Sequence, residues 1–340
     1  VYLNGGKESV VLDINTIEGR SLLMGLLSKA DVFVSNLPIG YRRELRLDYE
    51  SLHARFKHLI VAGLTVFGDS GLYAGLPAED IQAQAISGVS WAIGSPEREP
   101  LIIPYLQGDF QAGAHGAAAV MMALLARERT GSGQHVDIAS ADILAAAAGT
   151  NALIYLYYGL RRWARAGNRA LGSGGPYPYV ILPCKDGAVC LIGRARHEWQ
   201  KLVEAMGNPE WAQHPRYQDL HAMGRDYPEE VDNLIRPWLM QHTRAELLEI
   251  AARYNFPLGP LRTMDEVVVS PQFLERGFFI DVSVNRISRP IPSLPFRFSR
   301  SQLRTGRPAP RLGEHTEQVL ASLLGWKQSD ATNARPEGAL

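Results

Sequence analysis

One aspartate occupies a position at which a carboxylate could do covalent chemistry. Asp109 lies in Gly108-Asp109-Phe110, directly before a run rich in alanine and glycine that predicts a helix over residues 110–128. Unpaired N–H groups and the helix dipole at a helix start favour a negative charge by roughly 0.3–1 kcal/mol, so we expect an ionised carboxylate at neutral pH. The same groups could stabilise an oxyanion on an attacked acyl group. The segment alone leaves a second interpretation open, in which Asp109 only caps the helix.

A glycine-rich segment is the second feature with a possible chemical role. Leu171-Gly172-Ser173-Gly174-Gly175-Pro176 follows a stretch that contains several arginines. So many glycines are unsuited to the interior of a helix or a strand, because glycine loses the most conformational freedom on ordering. The segment therefore predicts a mobile loop.

The elements that must position these residues alternate between strands and helices. Short β-branched runs followed by amphipathic helical patterns are typical of βαβ units around a parallel sheet. The helix over residues 110–128 is apolar on every side, which predicts that it is buried. The predicted strands of this part are residues 10–14, 32–36, 58–63 and 135–139, and its predicted helices are residues 18–30, 49–55, 80–87 and 110–128.

A second αβ segment begins after a change of composition near residue 160. It contains a predicted hairpin over residues 179–192, and its predicted helices are residues 197–206, 229–241 and 244–254. A closing helix is predicted over residues 314–324, after an extended, proline-rich stretch. The fold class is therefore α/β, with a Rossmann-like parallel-sheet large domain and a smaller α/β domain. The predicted division is a large domain over 1–155, a linker with the glycine-rich loop over 156–178, a small domain over 179–275, and a return linker with a C-terminal segment that completes the large domain over 276–340.

The composition excludes several functional classes. Lysine plus arginine and aspartate plus glutamate both number 35 among 340 residues, so no net charge favours nucleic acid or an anionic membrane. No stretch approaches the roughly 20 apolar residues of a membrane span, and no secretory signal is evident. Cys184 and Cys190 alone form neither a metal cluster nor a disulfide framework, which indicates a reducing cytoplasm. No G-x-G-x-x-G motif follows a strand, which argues against a nicotinamide-binding domain.

Short motifs along almost the whole chain resemble those of the family III CoA transferases. That superfamily includes formyl-CoA transferase, carnitine CoA-transferase and α-methylacyl-CoA racemase. No motif is decisive alone, but eight of them in the right order make chance similarity implausible. The motifs are residues 4–10 (NGGKESV), 31–40, 68–80, 108–113 (GDFQAG), 127–137 (RERTGSGQHVD), 176–187, 257–260 (PLGP) and 308–316 (PAPRLGEHT).

The resemblance implies a fold, a reaction and a mechanism. It implies the family III fold and an interlocked homodimer, with an acyl-CoA and a carboxylic acid as substrates and with no tightly bound cofactor or metal. Asp109 matches the family's nucleophile, which forms an aspartyl–acyl anhydride and then an aspartyl-CoA thioester. Gly172, Gly174 and Gly175 match the glycine-rich loop that covers the reacting centre. An ordinary interdomain linker stays an alternative interpretation of that loop.

The resemblance also assigns residues to CoA binding. Asn36, Leu37 and Gly40 match the segment that contacts CoA in the family. Arg43, like Arg42, could contact the CoA phosphates, although a solvated helix start is an equally good interpretation of both. The sequence departs from the family after Asn36, because an aromatic or basic residue and then Pro-Gly are usual where this chain has Leu-Pro-Ile.

Two further matches bear on alternative functions. Asp80 matches an acid at the edge of the active site, and racemases of the superfamily carry a histidine directly before it, where this chain has Glu79. A racemase would therefore need Glu79 as a buried base. A catalytically inactive CoA-binding paralogue is the third alternative.

Family members carry a strand, a CoA-contacting turn and a helix before the position of Asn4, so we expect the sequence to be a fragment.

Overall fold

The computed structural model describes residues 2–148, 153, 155–157, 159, 165–169, 175–284, 287–301 and 306–326. Their contacts group into two compact units. The first unit comprises Val1–Leu76, Gly113–Ala139 and Thr263–Leu340, and the second comprises Pro77–Ala112 and Ser140–Arg262. The bounds of these units differ from the predicted domain boundaries at residues 155, 178 and 275. The predicted division into domains stays a prediction.

Helices and strands alternate through the first 147 residues. In chain order they are α1 (Ile17–Leu27), β1 (Val32–Ser35), α2 (Ile39–Glu44), α3 (Tyr49–Arg55), β2 (Ile60–Thr65), α4 (Asp80–Ile86), α5 (Gln107–Thr130), β3 (His135–Ala139) and α6 (Ser140–Ala147). The elements after them are β4 (Tyr179–Cys184), β5 (Gly187–Ile192), α7 (Arg196–Ala205), α8 (Glu210–Gln213), α9 (Leu220–Asp226), α10 (Pro228–Leu239), α11 (Arg244–Tyr254), β6 (Leu258–Pro260), α12 (Met264–Val268), α13 (Pro271–Glu275), β7 (Phe279–Val284), β8 (Ile287–Pro292) and α14 (Thr316–Leu324).

A three-stranded parallel sheet forms the centre of the first unit. Its order is β1-β2-β3, so β2 lies in the middle, and Ser35 and Asp137 flank Gly63 in register. The residues of β2 from Ile60 to Ala62 are completely buried, as the apolar run predicts for a central parallel strand. Three of the predicted strands are therefore confirmed; the ends of β1 and β2 differ from the prediction by one or two residues, and β3 has the predicted ends.

The predicted strand over residues 10–14 is wrong. The backbone N–H of Val11 donates to the Thr316 hydroxyl at 3.0 Å, and the carbonyl of Ser9 accepts from the N–H of His315 at 3.0 Å. The hydrogen bonds of this segment thus go to the start of α14 and not to a neighbouring strand. The backbone of an apolar β-branched run can form its hydrogen bonds with a helix start as well as with a strand. The sequence does not distinguish these two partners.

The second unit has its own core around an antiparallel sheet of order β4-β5-β6. Helix α10 packs on β4, and α11 packs on β5, β6 and α7. The large buried side chains of this core include Trp199, Leu202 and Ile235. The predicted hairpin over residues 179–192 is confirmed, and Thr243 and Glu246 form a capping box at the start of α11.

The prediction that the long alanine-rich helix is buried is wrong for the single chain. Gly116 and Ala123 of α5 are buried, but Met121, Met122 and Leu125 expose 58%, 64% and 60% of their surface. One face of the helix packs closely because its residues are small, and the opposite face carries long apolar side chains into solvent. An apolar exposed face of this kind is typical of a surface that another chain covers.

Candidate active site

Asp109 lies within helix α5 and does not cap it. The carbonyl of Leu106 accepts the N–H of Phe110 at 3.1 Å, so the first helical hydrogen bond begins before Asp109. The cap comes from another helix. One oxygen of Asp80, Oδ1, accepts the N–H of Gly108 at 2.6 Å and the N–H of Asp109 at 3.2 Å. The interpretation of Asp109 as the N-cap is therefore wrong, because Asp80 satisfies the free N–H groups of this helix start.

The carboxylate of Asp80 is held on both of its oxygens. It is the first residue of α4 and is buried, and its Oδ2 accepts from the side-chain amide of Gln84 at 2.6 Å. Gln84 is completely buried and also exchanges hydrogen bonds with the backbone N–H and carbonyl of Ile103, at 2.8 and 3.0 Å. Gly108 permits the close approach, because a Cβ at that position would lie 2.6 Å from the Asp80 oxygen. Asp80 thus fixes the backbone that carries Asp109.

The Asp109 side chain has the opposite environment. It is exposed, and within the described part of the chain no donor bonds its carboxylate. Partial burial raises its pKa, and the negative charges of Asp80 and then Glu79 raise it further. These effects oppose that of the helix start, which alone would lower the pKa of Asp109. The result is an accessible carboxylate that is more basic than an ordinary aspartate.

The predicted CoA-contacting residues lie at the carboxyl end of the parallel sheet in the first unit. Asn36 and Leu37 follow β1 directly, and Gly40 and Arg43 belong to α2. Ligands of parallel α/β sheets bind at this end of the strands. Asn36, Gly40 and Arg43 are exposed, and open space surrounds the Cα of Gly40. Arg42 is 1% exposed, so the suggestion that it contacts phosphates is wrong.

Comparison with known proteins decides the family. The family model described as CoA-transferase family III matches residues 1–316. The chain belongs to CoA-transferase family III. Its resemblance at the level of motifs is thereby confirmed, and the protein is a CoA-transferase.

Characterised members of family III cover almost all of this chain. It is 31% identical to succinate–glutarate CoA-transferase of Agrobacterium fabrum over 94% of this chain and 79% of that protein. It is 30% identical to a subunit of succinyl-CoA:(R)-benzylsuccinate CoA-transferase of Thauera aromatica, over 100% of this chain and 84% of the relative. Identity to succinyl-CoA–D-citramalate CoA-transferase of Chloroflexus aurantiacus is also 30%, over 95% of this chain and 80% of that one.

Solved structures confirm the family III fold. A CAIB/BAIF family protein from Brucella suis superposes with a TM-score of 0.83 at 32% identity, covering 95% of this chain and 83% of the other. A protein from Mycobacterium tuberculosis gives 0.81 at 25% identity, covering 92% and 83%. The α/β fold with a parallel sheet predicted from the sequence is therefore confirmed.

The remaining predicted family III residues lie in the second unit. Gly172 and Gly174 lie outside the described residues. Gly175 is described, and its carbonyl oxygen approaches Gly224 of α9 so closely that a Cβ there would lie 1.9 Å away. Tyr177 is buried in the core of this unit and its hydroxyl donates to Asp232 at 2.7 Å, so its ring does not line an acyl pocket.

Other side chains of the second unit that lie near Asp80 and Asp109 in the sequence are exposed. Trp91, Tyr105 and Phe110 are exposed, which is compatible with contact to an acyl group. Glu79, the base that a racemase would need, is exposed at the N-cap of α4. No group of three His, Cys, Asp or Glu residues that could hold a metal occurs among the described residues. Within the same ranges, no helix combines the length and the apolar character that crossing a bilayer requires.

The sequence did not reveal the role of Gln84, nor that a glycine is needed at position 108 for the close approach of Asp80. Gln84 lies four residues after Asp80, which is the spacing at which two side chains on a helix meet. That spacing was the available signal. Nothing in the sequence indicates that the amide would also bond Ile103, 19 residues away. The approach of Asp80 to Gly108 is likewise a tertiary contact.

Proposed function

We propose that the enzyme transfers CoA from an acyl-CoA to a free carboxylic acid through covalent intermediates on Asp109. The observation that carries this mechanism is the pairing of an exposed Asp109 carboxylate, which receives no hydrogen bond from the described residues, with a backbone held by Asp80. A nucleophile must be free to approach its target, and its position must be defined. Asp109 combines both properties.

The reaction balances without any other reactant. The Asp109 oxygen attacks the thioester carbon, the C–S bond breaks, and CoA thiolate leaves an aspartyl–acyl anhydride. The thiolate then attacks the Asp109 carbonyl, which releases the donor acid as a carboxylate and leaves an aspartyl-CoA thioester. The acceptor carboxylate attacks that thioester and expels CoA thiolate, which attacks the acceptor's acyl carbon. The new acyl-CoA leaves, and the Asp109 carboxylate is regenerated with no net uptake of protons.

The raised pKa of Asp109 favours the attack of its oxygen on the donor thioester. A more basic carboxylate is a better nucleophile as long as it remains ionised at the working pH. Asp80 acts in this scheme as a positioning residue, since its oxygens are occupied by the N–H groups of α5 and by Gln84. The backbone of Asp109 is consequently already ordered before the substrate binds.

Asn36, Leu37, Gly40 and Arg43 are the proposed contacts for CoA. Their place at the carboxyl end of the sheet supports this assignment. Gly172, Gly174 and Gly175 are proposed to cover the intermediates, because both the anhydride and the thioester hydrolyse in water. A cytoplasmic location is proposed from the two free cysteines.

Succinyl-CoA is the proposed donor to test first. The names of three relatives at 30–31% identity contain succinate or succinyl-CoA. The partner acids in those names, glutarate, benzylsuccinate and citramalate, are the corresponding first set of acceptors.

A homodimer is proposed as the active assembly. The exposed side chains Met121, Met122 and Leu125 of α5 provide a continuous apolar surface on one helix. Phe296 and Phe298 are also half exposed, at 50% and 58%. Surfaces of this composition are covered in stable oligomers.

Mass spectrometry of the protein incubated with succinyl-CoA tests the covalent mechanism directly. We expect a mass increase corresponding to covalently attached CoA, and hydroxylamine should convert the same residue to its hydroxamate. Peptide mapping should place the modification on Asp109. Turnover with the modification on another residue, or with none under trapping conditions, would show that Asp109 is not the nucleophile.

A further inference from the structure

Four charged side chains form a network beside the middle strand of the parallel sheet, within the first unit. Arg42 of α2 forms an ion pair with Asp69, which lies after β2. His135 at the start of β3 places its Nε2 3.1 Å from the other Asp69 oxygen. The two oxygens of Asp137 accept the backbone N–H of Asp69, at 2.9 and 3.1 Å. The side chains of Arg42 and Asp69 are only 1% and 5% exposed.

Arg42 connects this network to the turn that follows β1. Its Nε donates to the carbonyl of Leu37 at 2.9 Å, and its backbone N–H donates to the carbonyl of Pro38 at 3.0 Å. The guanidinium lies against the backbone of Gly63, where a Cβ would be 2.8 Å from Nη1 and 2.5 Å from an oxygen of Asp69. A glycine in the middle strand is thus required for the arginine to reach the turn.

A buried ion pair contributes little net stability, because desolvation of both charges offsets their attraction. A role in stability therefore does not explain why Arg42 lies here. An arginine can bond a carboxylate and a backbone carbonyl at once through its planar fork, which a lysine cannot do from the same position. That geometry links Asp69 to Leu37 in a defined orientation.

We propose that Arg42 and Asp69 are positioning residues that hold the turn over residues 36–38 in the conformation that binds CoA, and that His135 steadies Asp69. Arg42 itself does not touch CoA, because it is buried. It acts through the carbonyl of Leu37. This role rests on the proposed contact of Asn36 and Leu37 with CoA.

The network also carries a pH dependence. The hydrogen bond to Asp69 raises the pKa of His135 above its ordinary value, against the opposing effect of burial. Burial would raise the pKa of Asp69, but the hydrogen bonds from His135 and Arg42 outweigh it and lower that pKa. The other groups that face the His135 ring or its neighbours are Asp137, Arg42, Tyr49, which stacks on the ring at 5.6 Å, and His53, which stacks on Tyr49.

The sign follows from the raised pKa of His135. The positive charge of His135 is fully present at pH values below the ordinary pKa of a histidine. It is lost as the pH rises through the higher pKa that His135 has in the folded protein. With His135 charged, two cations balance the two aspartates. Deprotonation leaves one unbalanced negative charge beside the turn that binds the anionic CoA, so CoA affinity should fall as the pH rises.

The test compares Arg42→Lys with the matched control Arg46→Lys, which changes an exposed arginine two residues beyond the end of α2. Both keep the charge. Calorimetric titration with coenzyme A and steady-state kinetics with succinyl-CoA are the measurements. We expect Arg42→Lys to raise the Kd for coenzyme A and the KM for succinyl-CoA at least tenfold, equivalent to about 1.4 kcal/mol, with kcat within about twofold. Arg46→Lys should leave both constants unchanged.

Several outcomes would overturn the positioning role. A folded Arg42→Lys variant with an unchanged Kd, or one that loses kcat at an unchanged KM, would show that Arg42 is only structural. If Arg42→Lys does not fold, His135→Gln takes its place, because the His135 side chain is 30% exposed and the Arg42–Asp69 pair remains. His135→Gln should remove the alkaline loss of CoA affinity, and an unchanged pH profile would refute the network's role.

Failure of the proposed function gives a different result. A parent enzyme that binds no coenzyme A refutes CoA binding by this turn altogether. A parent that binds coenzyme A, with an Arg42→Lys variant that binds it equally well, refutes only the positioning by Arg42.

Discussion

Replacing Asp80 with asparagine removes one negative charge beside Asp109 and keeps the shape of the side chain. The Oδ1 position can still accept the N–H groups of Gly108 and Asp109, which it receives at 2.6 and 3.2 Å. The other end of the amide, however, presents a donor to the Gln84 amide, which lies 2.6 Å from it in the parent. Loss of that hydrogen bond in a buried site costs roughly 1–3 kcal/mol, so the variant should unfold at a lower temperature but remain folded.

The effect on activity comes from the charge. Asp80 is, after burial, the next cause of the raised pKa of Asp109. Asp80→Asn should therefore lower the pKa of Asp109. Because Asp109 must be ionised to attack, activity is present above its pKa and is lost as the pH falls through it. The acid limb of kcat/KM should move to lower pH, and near neutral pH the less basic carboxylate should lose up to about tenfold in rate, or 1.4 kcal/mol.

The assay is the rate of aspartyl-CoA formation from succinyl-CoA, measured from pH 4 to pH 8 (about the range in which carboxylates titrate). Asp142→Asn is the matched control, since it removes an equal charge at an exposed position of α6. Its acid limb should coincide with that of the parent. An acid limb of Asp80→Asn that stays in place, or moves to higher pH in a folded protein, would refute the electrostatic coupling of the two aspartates.

Three further predictions follow from the same site and from helix α5. Asp109→Asn should reduce transfer by several orders of magnitude and leave coenzyme A binding intact by calorimetry; more than about a tenth of the parent rate would contradict the nucleophilic role. Gly108→Ala should cost roughly 1–3 kcal/mol of stability in thermal unfolding, whereas Gly113→Ala, with nothing within 4 Å of the added Cβ, should be neutral or stabilising; equal melting temperatures would refute the steric argument. Light scattering should show a homodimer, and Met122→Lys should weaken it; a stable active monomer would contradict the proposed assembly.

The local elements of this chain are largely predictable because their signals are local. Helix α3 begins and ends where the capping residue Asp48 and the polar pattern indicate, and β3 occupies exactly the predicted residues. The failures at residues 10–14 and on the exposed face of α5 have a common cause. A hydrophobic pattern shows that a surface will be covered, but it does not show which partner covers it.

The candidate site was predictable only in part, for a related reason. Asp109 could be found because the start of an alanine-rich helix is visible in the sequence, and the family resemblance then gave it a role. The cap on that helix comes from Asp80, 28 positions before Gly108, and no local rule connects the two residues. Arg42 is the clearest case: its neighbour Arg43 is exposed, and only the fold shows that Arg42 points into the protein.

Asp80 and Asp109 show how one residue type can serve two purposes a few ångströms apart. Every oxygen of Asp80 accepts a hydrogen bond, so neither oxygen is available to attack a substrate. Asp109 receives no such bonds among the described residues, and the fixed charge of Asp80 makes its own ionisation less favourable. The hydrogen-bonded carboxylate therefore increases the basicity of the free one while it holds the backbone in place. Among the described residues no donor to the Asp109 carboxylate takes the place that Gly108, Asp109 and Gln84 take for Asp80, and this distribution of hydrogen bonds supports the proposed assignment of Asp109 as the nucleophile.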